Sequence, residues 1–162
     1  MSQRLQSLFF FLSALLFALL FFIPLAEYHG EQNILVFNVF GIETQTPSAQ
    51  VPWPSTFSLP VLILAITAML LSGYLAMGLF RAVKLVQFVK LHKTARISII
   101  VIEAWIAVVF GYYIRVIGTP VGAGPTFKAG AFLPLAALLL TIAATSGLKK
   151  DIKKVRSTDR IR

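Results

Sequence analysis

Residues 59–80 read LPVLILAITAMLLSGYLAMGLF, an apolar run without a charged side chain. A bilayer core about 30 Å thick is crossed by about 20 apolar helical residues at about 1.5 Å per residue. Ser58 and Pro60 predict a helix start, because serine is a frequent N-cap and proline loses no hydrogen bond in the first turn. The stretch therefore predicts a transmembrane helix.

Three further apolar stretches occupy residues 8–25, 97–114 and 129–148. The chain is 57% hydrophobic and only 13% charged, whereas soluble domains average about 25% charged residues. The first stretch could be a secretory signal peptide, but it is longer than the usual core of about 7–15 residues and no A-x-A-like site follows. We predict an all-α membrane protein in which residues 1–162 form one domain with four transmembrane helices.

The basic residues predict the orientation of these helices. Thirteen of the fifteen Lys and Arg residues precede the first segment, separate the second from the third, or follow the fourth. The opposite side has only Arg115 and Lys128, and residues 26–58 contain no Lys or Arg. The positive-inside rule then places both termini in the cytoplasm.

The outer loop, residues 26–58, contains NILVFNVFGIE at 33–43 and then a turn-rich stretch. Branched and aromatic residues favour a strand, so we predict a short β element over the helix ends. Tyr28, Trp53 and Arg115 are expected at the outer membrane interface, with an ion pair from Arg115 to an outer-loop glutamate as the alternative. The loop is either an ordered cap or a partner-docking surface. The glycines of residues 118–130 indicate an ordinary turn.

The basic inner loop (81–96) and the basic cytoplasmic tail (149–162) are predicted to contact anionic lipid headgroups. Nucleic-acid binding is the alternative, but no aromatic residues are interleaved for base stacking. Residues 81–96 contain no Gly or Pro, so the sequence also allows helix two to continue past the bilayer. The predicted headgroup contacts are Arg81, Lys84, Lys90, Lys93, Arg96, Lys149, Lys150, Lys153, Lys154 and Arg156.

Glu103 is the one acidic residue inside an apolar run. Ala107 and Gly111 follow it at helical spacing and predict that it faces the bundle. Side chains expected at the same depth are Ser13, Ser72, Tyr74, Thr141 and Thr145. Intramembrane carboxylates are candidate functional sites, although one acid among hydroxyls also serves as a hydrogen-bonding post between helices. Both interpretations stay open.

No catalytic motif or set of metal ligands can be assembled from the sequence, which has no Cys and only two His. We therefore expect no enzymatic activity, no cofactor and no metal. The sequences QRLQSLFFFLSALLFALLFFIPLAE, LPVLILAI, FLPLAALLL and KKVRSTDRIR resemble a Bacteroidota family of small membrane proteins, the domain of unknown function 4293. The resemblance implies four transmembrane helices in an inner membrane, and no activity.

These observations predict a non-enzymatic accessory or scaffold subunit of a larger membrane complex, with lipids and unidentified membrane proteins as partners. The alternative is a small transporter or channel-like module that uses Glu103. A lipid-linked enzyme is a third possibility, but it needs paired acids or a nucleophile with its base.

Overall fold

The computed structural model describes residues 2–30, 34–45, 53–82, 85–121 and 124–159. Within these ranges the chain forms five α-helices and a small sheet. The elements in chain order are α1 (Ser2–Leu19), β1 (Ala26–His29), β2 (Ile34–Phe37), β3 (Ile42–Thr44), α2 (Leu59–Arg81), α3 (Leu85–Leu91), α4 (Lys93–Val121), β4 (Pro125–Phe127) and α5 (Leu133–Asp159). Two 3₁₀ turns, Ser55–Ser58 and Ala129–Phe132, lead into α2 and α5.

Three helical segments are long and apolar enough to cross a membrane: Thr56–Arg81, Lys93–Gly118 and Ala129–Lys154. The apolar part of α1 is shorter, Arg4–Leu19. The predicted first segment, 8–25, is therefore shifted, because α1 begins at Ser2 and ends at Leu19. The chain then turns before Pro24, which disfavours helical backbone at the residue preceding it.

The four long helices form a ring in the order α1, α2, α4, α5, since α1 packs against α2 and α5, and α4 packs against the same two. Buried positions on α2 follow helical spacing and are mostly small: Val61, Ala65, Ala68, Ser72, Leu75, Ala76 and Leu79. Small side chains let helix backbones approach closely within a membrane. The ring has a basic end, where α1 and α4 begin and α2 and α5 finish, and a sheet end opposite.

A four-stranded antiparallel sheet with the order β3-β2-β1-β4 covers the sheet end. The predicted β element is present, but β4 comes from the loop that was expected to be an ordinary turn. Ala26 pairs with Phe127 and Tyr28 with Pro125. The short segment Pro125–Phe127 is therefore a strand because it pairs with the edge of β1 that β2 leaves free. Its Pro and Gly neighbours give no strand signal in the sequence.

Several predicted boundaries were wrong. Helix two does not continue through the basic inner loop, because Ala82 is extended and α2 ends at Arg81. Ser58 has helical backbone and makes no capping hydrogen bond from its side chain, since it belongs to the preceding 3₁₀ turn. Gly118 does not end the third segment, as α4 continues to Val121. The tail is helical as far as Asp159, because α5 continues without a break.

Candidate functional site

Four side chains meet in the centre of the bundle, one from each long helix. Ser13 on α1, Ser72 on α2, Glu103 on α4 and Thr141 on α5 are all fully buried. We call these four residues the central cluster. Apolar residues at helical spacing bury one stripe of each helix, and one polar residue interrupts each stripe at the same depth.

Hydroxyl protons determine the direction of hydrogen bonding in the central cluster. Ser13 Oγ donates to Glu103 Oε1 over 3.0 Å, and Thr141 Oγ1 donates to the same oxygen over 3.0 Å. Ser13 and Ser72 lie 3.4 Å apart. A hydroxyl has one proton, so Ser72 is the donor to Ser13 once Ser13 bonds the carboxyl. The cluster thereby joins all four long helices through Glu103.

Glu103 Oε2 is buried and has no hydrogen-bond partner among the described residues. An unpaired buried polar atom is costly, and such atoms in native proteins often have a functional explanation. The arrangement can act chemically as an acceptor for one further donor or cation. It also serves as an interhelical post through Oε1 alone.

The structure separates Tyr74 and Thr145 from the central cluster. Tyr74 is 56% exposed, and its hydroxyl lies 3.0 Å from His92 Nε2. His92 Nδ1 lies 3.0 Å from the Phe88 carbonyl oxygen, which only accepts, so Nδ1 is the donor and Nε2 accepts from Tyr74. Sequence reasoning missed this pair because the contact between α2 and α3 brings together residues 18 positions apart. Thr145 lies nearer the basic end.

The predicted headgroup residues lie at the basic end and are mostly exposed. Arg96 differs from the others, because it is only 6% exposed. Its Nη2 donates to the Val89 carbonyl oxygen over 2.8 Å, which satisfies an acceptor near the end of α3. Lys84 and the side chain of Arg156 lie outside the described residues. The exposed basic side chains are Arg81, Lys90, Lys93, Lys149, Lys150, Lys153 and Lys154.

The predicted outer anchors have different environments. Tyr28 is fully buried and donates to the Ile114 carbonyl oxygen over 3.1 Å, so it is part of the protein core. Burial raises the pKa of the Tyr28 hydroxyl to about 12. Trp53 is partly buried against Phe57, and Arg115 is exposed.

Glu27 is the outer-loop acid with a described ion pair, and its Oε2 lies 2.8 Å from Lys128 Nζ. This pair joins β1 to the residue that follows β4. Among residues 2–30, 34–45, 53–82, 85–121 and 124–159, no group of three or more His, Asp or Glu residues is placed to hold a metal ion.

A family model described as a domain of unknown function, DUF4293, matches residues 2–161. The chain belongs to the DUF4293 family. The resemblance seen in the sequence is thereby confirmed over nearly the whole chain. No curated protein matches the chain, and no solved structure does either. Membership of DUF4293 assigns no activity to the central cluster.

Proposed function

We propose that this DUF4293 protein is a non-enzymatic accessory or scaffold subunit of a membrane protein complex in a bacterial inner membrane. In this proposal α1 is the fourth transmembrane helix and both termini lie in the cytoplasm. Two observations support a spanning α1. It packs along α2 and α5, and its Ser13 reaches the same depth as Ser72 and Thr141.

The main support for the role as a subunit is the position of Trp105. This residue lies near the middle of the apolar segment Lys93–Gly118 and is 58% exposed. Tryptophan in membrane proteins is enriched at the two interfaces, where its N–H reaches water. At mid-membrane depth the indole N–H meets only hydrocarbon unless another protein supplies an acceptor. No hydrogen bond from Trp105 to another described residue is present.

The surface around Trp105 suits a second helix. Val101 and Val108 lie on the same outward face of α4 and are 60% and 58% exposed. Ala104 and Gly111 border this face, and a Cβ at Gly111 would meet nothing within 4 Å. Small residues beside a large one let a partner helix approach closely. We call this surface, residues 101, 104, 105, 108 and 111, the α4 face. Its proposed occupant is a transmembrane helix that offers a hydroxyl or carbonyl oxygen to Trp105.

Site-specific photocrosslinking in native membranes tests the subunit role. A benzophenone amino acid at position 105 should give adducts with a different protein. The matched control is position 139, because Leu139 is 69% exposed and lies within the apolar segment of α5. It should give adducts with lipid alone. Equal protein adducts at both positions, none at 105, or adducts of twice the chain mass would contradict a specific partner subunit.

The orientation has a separate test, because the chain contains no Cys. Single cysteines introduced at Lys150 and at Gly41 mark the basic end and the sheet end. With an impermeant maleimide, the Gly41 variant should be labelled in spheroplasts and the Lys150 variant only in inverted vesicles. The reverse pattern would overturn the proposed orientation. Labelling of both the Gly41 and the Lys150 variants from the same side would overturn the proposal that all four long helices cross the membrane.

The unpaired Glu103 Oε2 favours one second candidate, a small transporter or channel-like module. Glu103→Gln keeps an acceptor for Ser13 and Thr141 while removing the carboxyl. In proteoliposomes, a transport site predicts ion or proton flux that this variant abolishes at unchanged protein content. A variant depleted from the membrane, with no flux from the unaltered protein, would support the role of an interhelical post instead.

A further inference from the structure

The basic end contains a cleft of about 430 Å³ between α3, α4 and α5. Its walls include Arg96 and Lys93 from α4, Lys90 from α3, and Thr145 and Lys149 from α5. We call these five residues the basic cleft. They come from three helices, and the two α5 residues follow the other three by 49 or more positions in the sequence. Their meeting is therefore a product of the fold.

Two buried polar atoms in the basic cleft have no partner among the described residues. Arg96 Nε is one and Thr145 Oγ1 is the other. Their side chains are 6% and 8% exposed, respectively. A buried guanidinium without an anion strongly destabilises the fold, and a buried hydroxyl without a partner destabilises it as well. Arg96 Nε can only donate, and the Thr145 hydroxyl can donate as well as accept, so one acceptor group satisfies both.

The positive charge of the cleft indicates that the acceptor is an anion. Four cationic side chains line it, and none of its described lining residues is acidic. Glu103 lies about 10 Å further along α4 and bonds Ser13 and Thr141. Asp151 accepts a hydrogen bond from Gln6 of α1 on another side of α5. Arg96 is held in place by the Val89 carbonyl, so its remaining N–H groups are oriented before any ligand arrives.

The apolar part of the cleft points to a lipid. Ile97 and Ile100 line it beside Arg96 in the direction of the bundle centre, and Ile97 is 54% exposed. A phosphate on Arg96, Thr145 and the lysines would leave acyl chains lying along these isoleucines. Basic pockets between transmembrane helices are known to bind anionic headgroups in this way.

We propose that the basic cleft is a specific binding site for the phosphate of an anionic phospholipid, with Arg96 and Thr145 as its floor and Lys90, Lys93 and Lys149 as its rim. This site differs from diffuse attraction between a basic surface and a membrane, because two buried donors select the headgroup. It does not depend on the proposed partner subunit, since the α4 face and the basic cleft share no residue.

Native mass spectrometry of the detergent-purified full chain tests this site with phosphatidylglycerol, phosphatidylcholine and inorganic phosphate as probes. Phosphatidylglycerol should bind at least about tenfold more tightly than phosphatidylcholine, because the cleft carries uncompensated positive charge. Millimolar inorganic phosphate should not displace it, because the free ion lacks acyl chains. Complete displacement by phosphate would assign the site to the free ion, and equal binding of the two lipids would overturn it.

Variants locate the site within the basic end. Arg96→Gln and Lys149→Gln should each weaken phosphatidylglycerol binding by about tenfold, the effect of one charge-assisted hydrogen bond. Arg81→Gln and Lys150→Gln are matched controls, because they remove equal charge from exposed positions outside the cleft, and their binding should change less than twofold. Lys149 is exposed, so its variant remains informative if Arg96→Gln fails to fold. Equal losses in Lys149→Gln and Lys150→Gln would reduce the interaction to diffuse electrostatics and overturn the proposal.

Discussion

The sheet end and the basic end of the bundle are held together by different kinds of contact. At the sheet end, paired strands and aromatic side chains hold the parts together: Tyr28 donates to the Ile114 carbonyl oxygen, and Phe37 stacks on Tyr113 with centroids 5.8 Å apart. At the basic end, long side chains make the joins, and Arg96 and Thr145 keep unpaired donors. Among the described residues, the unpaired buried side-chain atoms lie at the basic end and in the central cluster, and none lies at the sheet end.

Gly130→Ala should be the most damaging small change at the sheet end. A Cβ there would lie 2.5 Å from the Pro24 carbonyl oxygen and 2.8 Å from that of Ile23. Both atoms are backbone, so relief requires the turn after α1 to move away from the start of α5. We expect a loss of about 3 kcal/mol in the free energy of unfolding, the upper part of the range for overpacking.

Unfolding in mixed SDS micelles measures this loss, with tryptophan fluorescence as the signal. Gly111→Ala is the matched control, because a Cβ there meets nothing within 4 Å and alanine favours helix over glycine. It should be neutral or stabilising. Equal stability of the two variants would contradict a rigid sheet end.

Tyr28→Phe should have the next largest effect. The change removes the hydrogen bond from the buried phenol to the Ile114 carbonyl oxygen, which costs about 1 kcal/mol. The folded pKa of Tyr28 is raised to about 12 by burial, against about 10 in an unfolded chain. The unfolded state therefore loses the proton first as pH rises. The stability that depends on the neutral phenol is fully present below pH 10 and is lost towards pH 12.

Thermal midpoints of the unaltered chain and Tyr28→Phe, followed from neutral to alkaline pH, check both parts of this prediction. The unaltered chain should be more stable than Tyr28→Phe below pH 10, and this difference should shrink as the pH rises from 10 towards 12. A constant difference across that range would show that the phenol is not buried in the folded protein. A tyrosinate absorbance change near pH 10 from position 28, before unfolding, would show the same.

The sequence predicted the positions of the helices better than it predicted the side-chain and strand contacts between them. The position of α2 follows from apolar spacing, which is local. The burial of Glu103 was predicted correctly, although Gly111, one of the two small residues that indicated it, is exposed on the α4 face. To predict the partners of Glu103, the depth of each side chain has to be compared across four helices. Counting residues from the ends of the apolar runs gives this depth only coarsely, so Tyr74 and Thr145 were wrongly included in the predicted set. The burial of Tyr28 and the strand at Pro125–Phe127 depend on pairing between two distant loops, for which a single sequence contains no spacing signal.

Lys128→Gln should have a small effect. It removes the ion pair with Glu27, whose side chain is 18% exposed against 39% for Lys128. Partly exposed pairs of this kind contribute about 0–1 kcal/mol and are screened by salt. The difference from the unaltered chain should shrink as salt is added. Lys150→Gln, at an exposed site of the basic end, is the control and should show no such dependence in detergent without anionic lipid.

Gly147→Ala should have the smallest effect and is the counterpart of Gly130→Ala at the basic end. Its Cβ would also meet a close atom, Gln6 Nε2 at 2.9 Å, but this atom terminates a flexible side chain. Gln6 would swing away and lengthen its 2.7 Å bond to Asp151, at a cost of about 1 kcal/mol. Alanine in a helix regains about 1 kcal/mol over glycine. We therefore expect a net change near zero in the same unfolding assay. A loss as large as that of Gly130→Ala would show that the basic end is as rigid as the sheet end, and the contrast between the two ends would then fail.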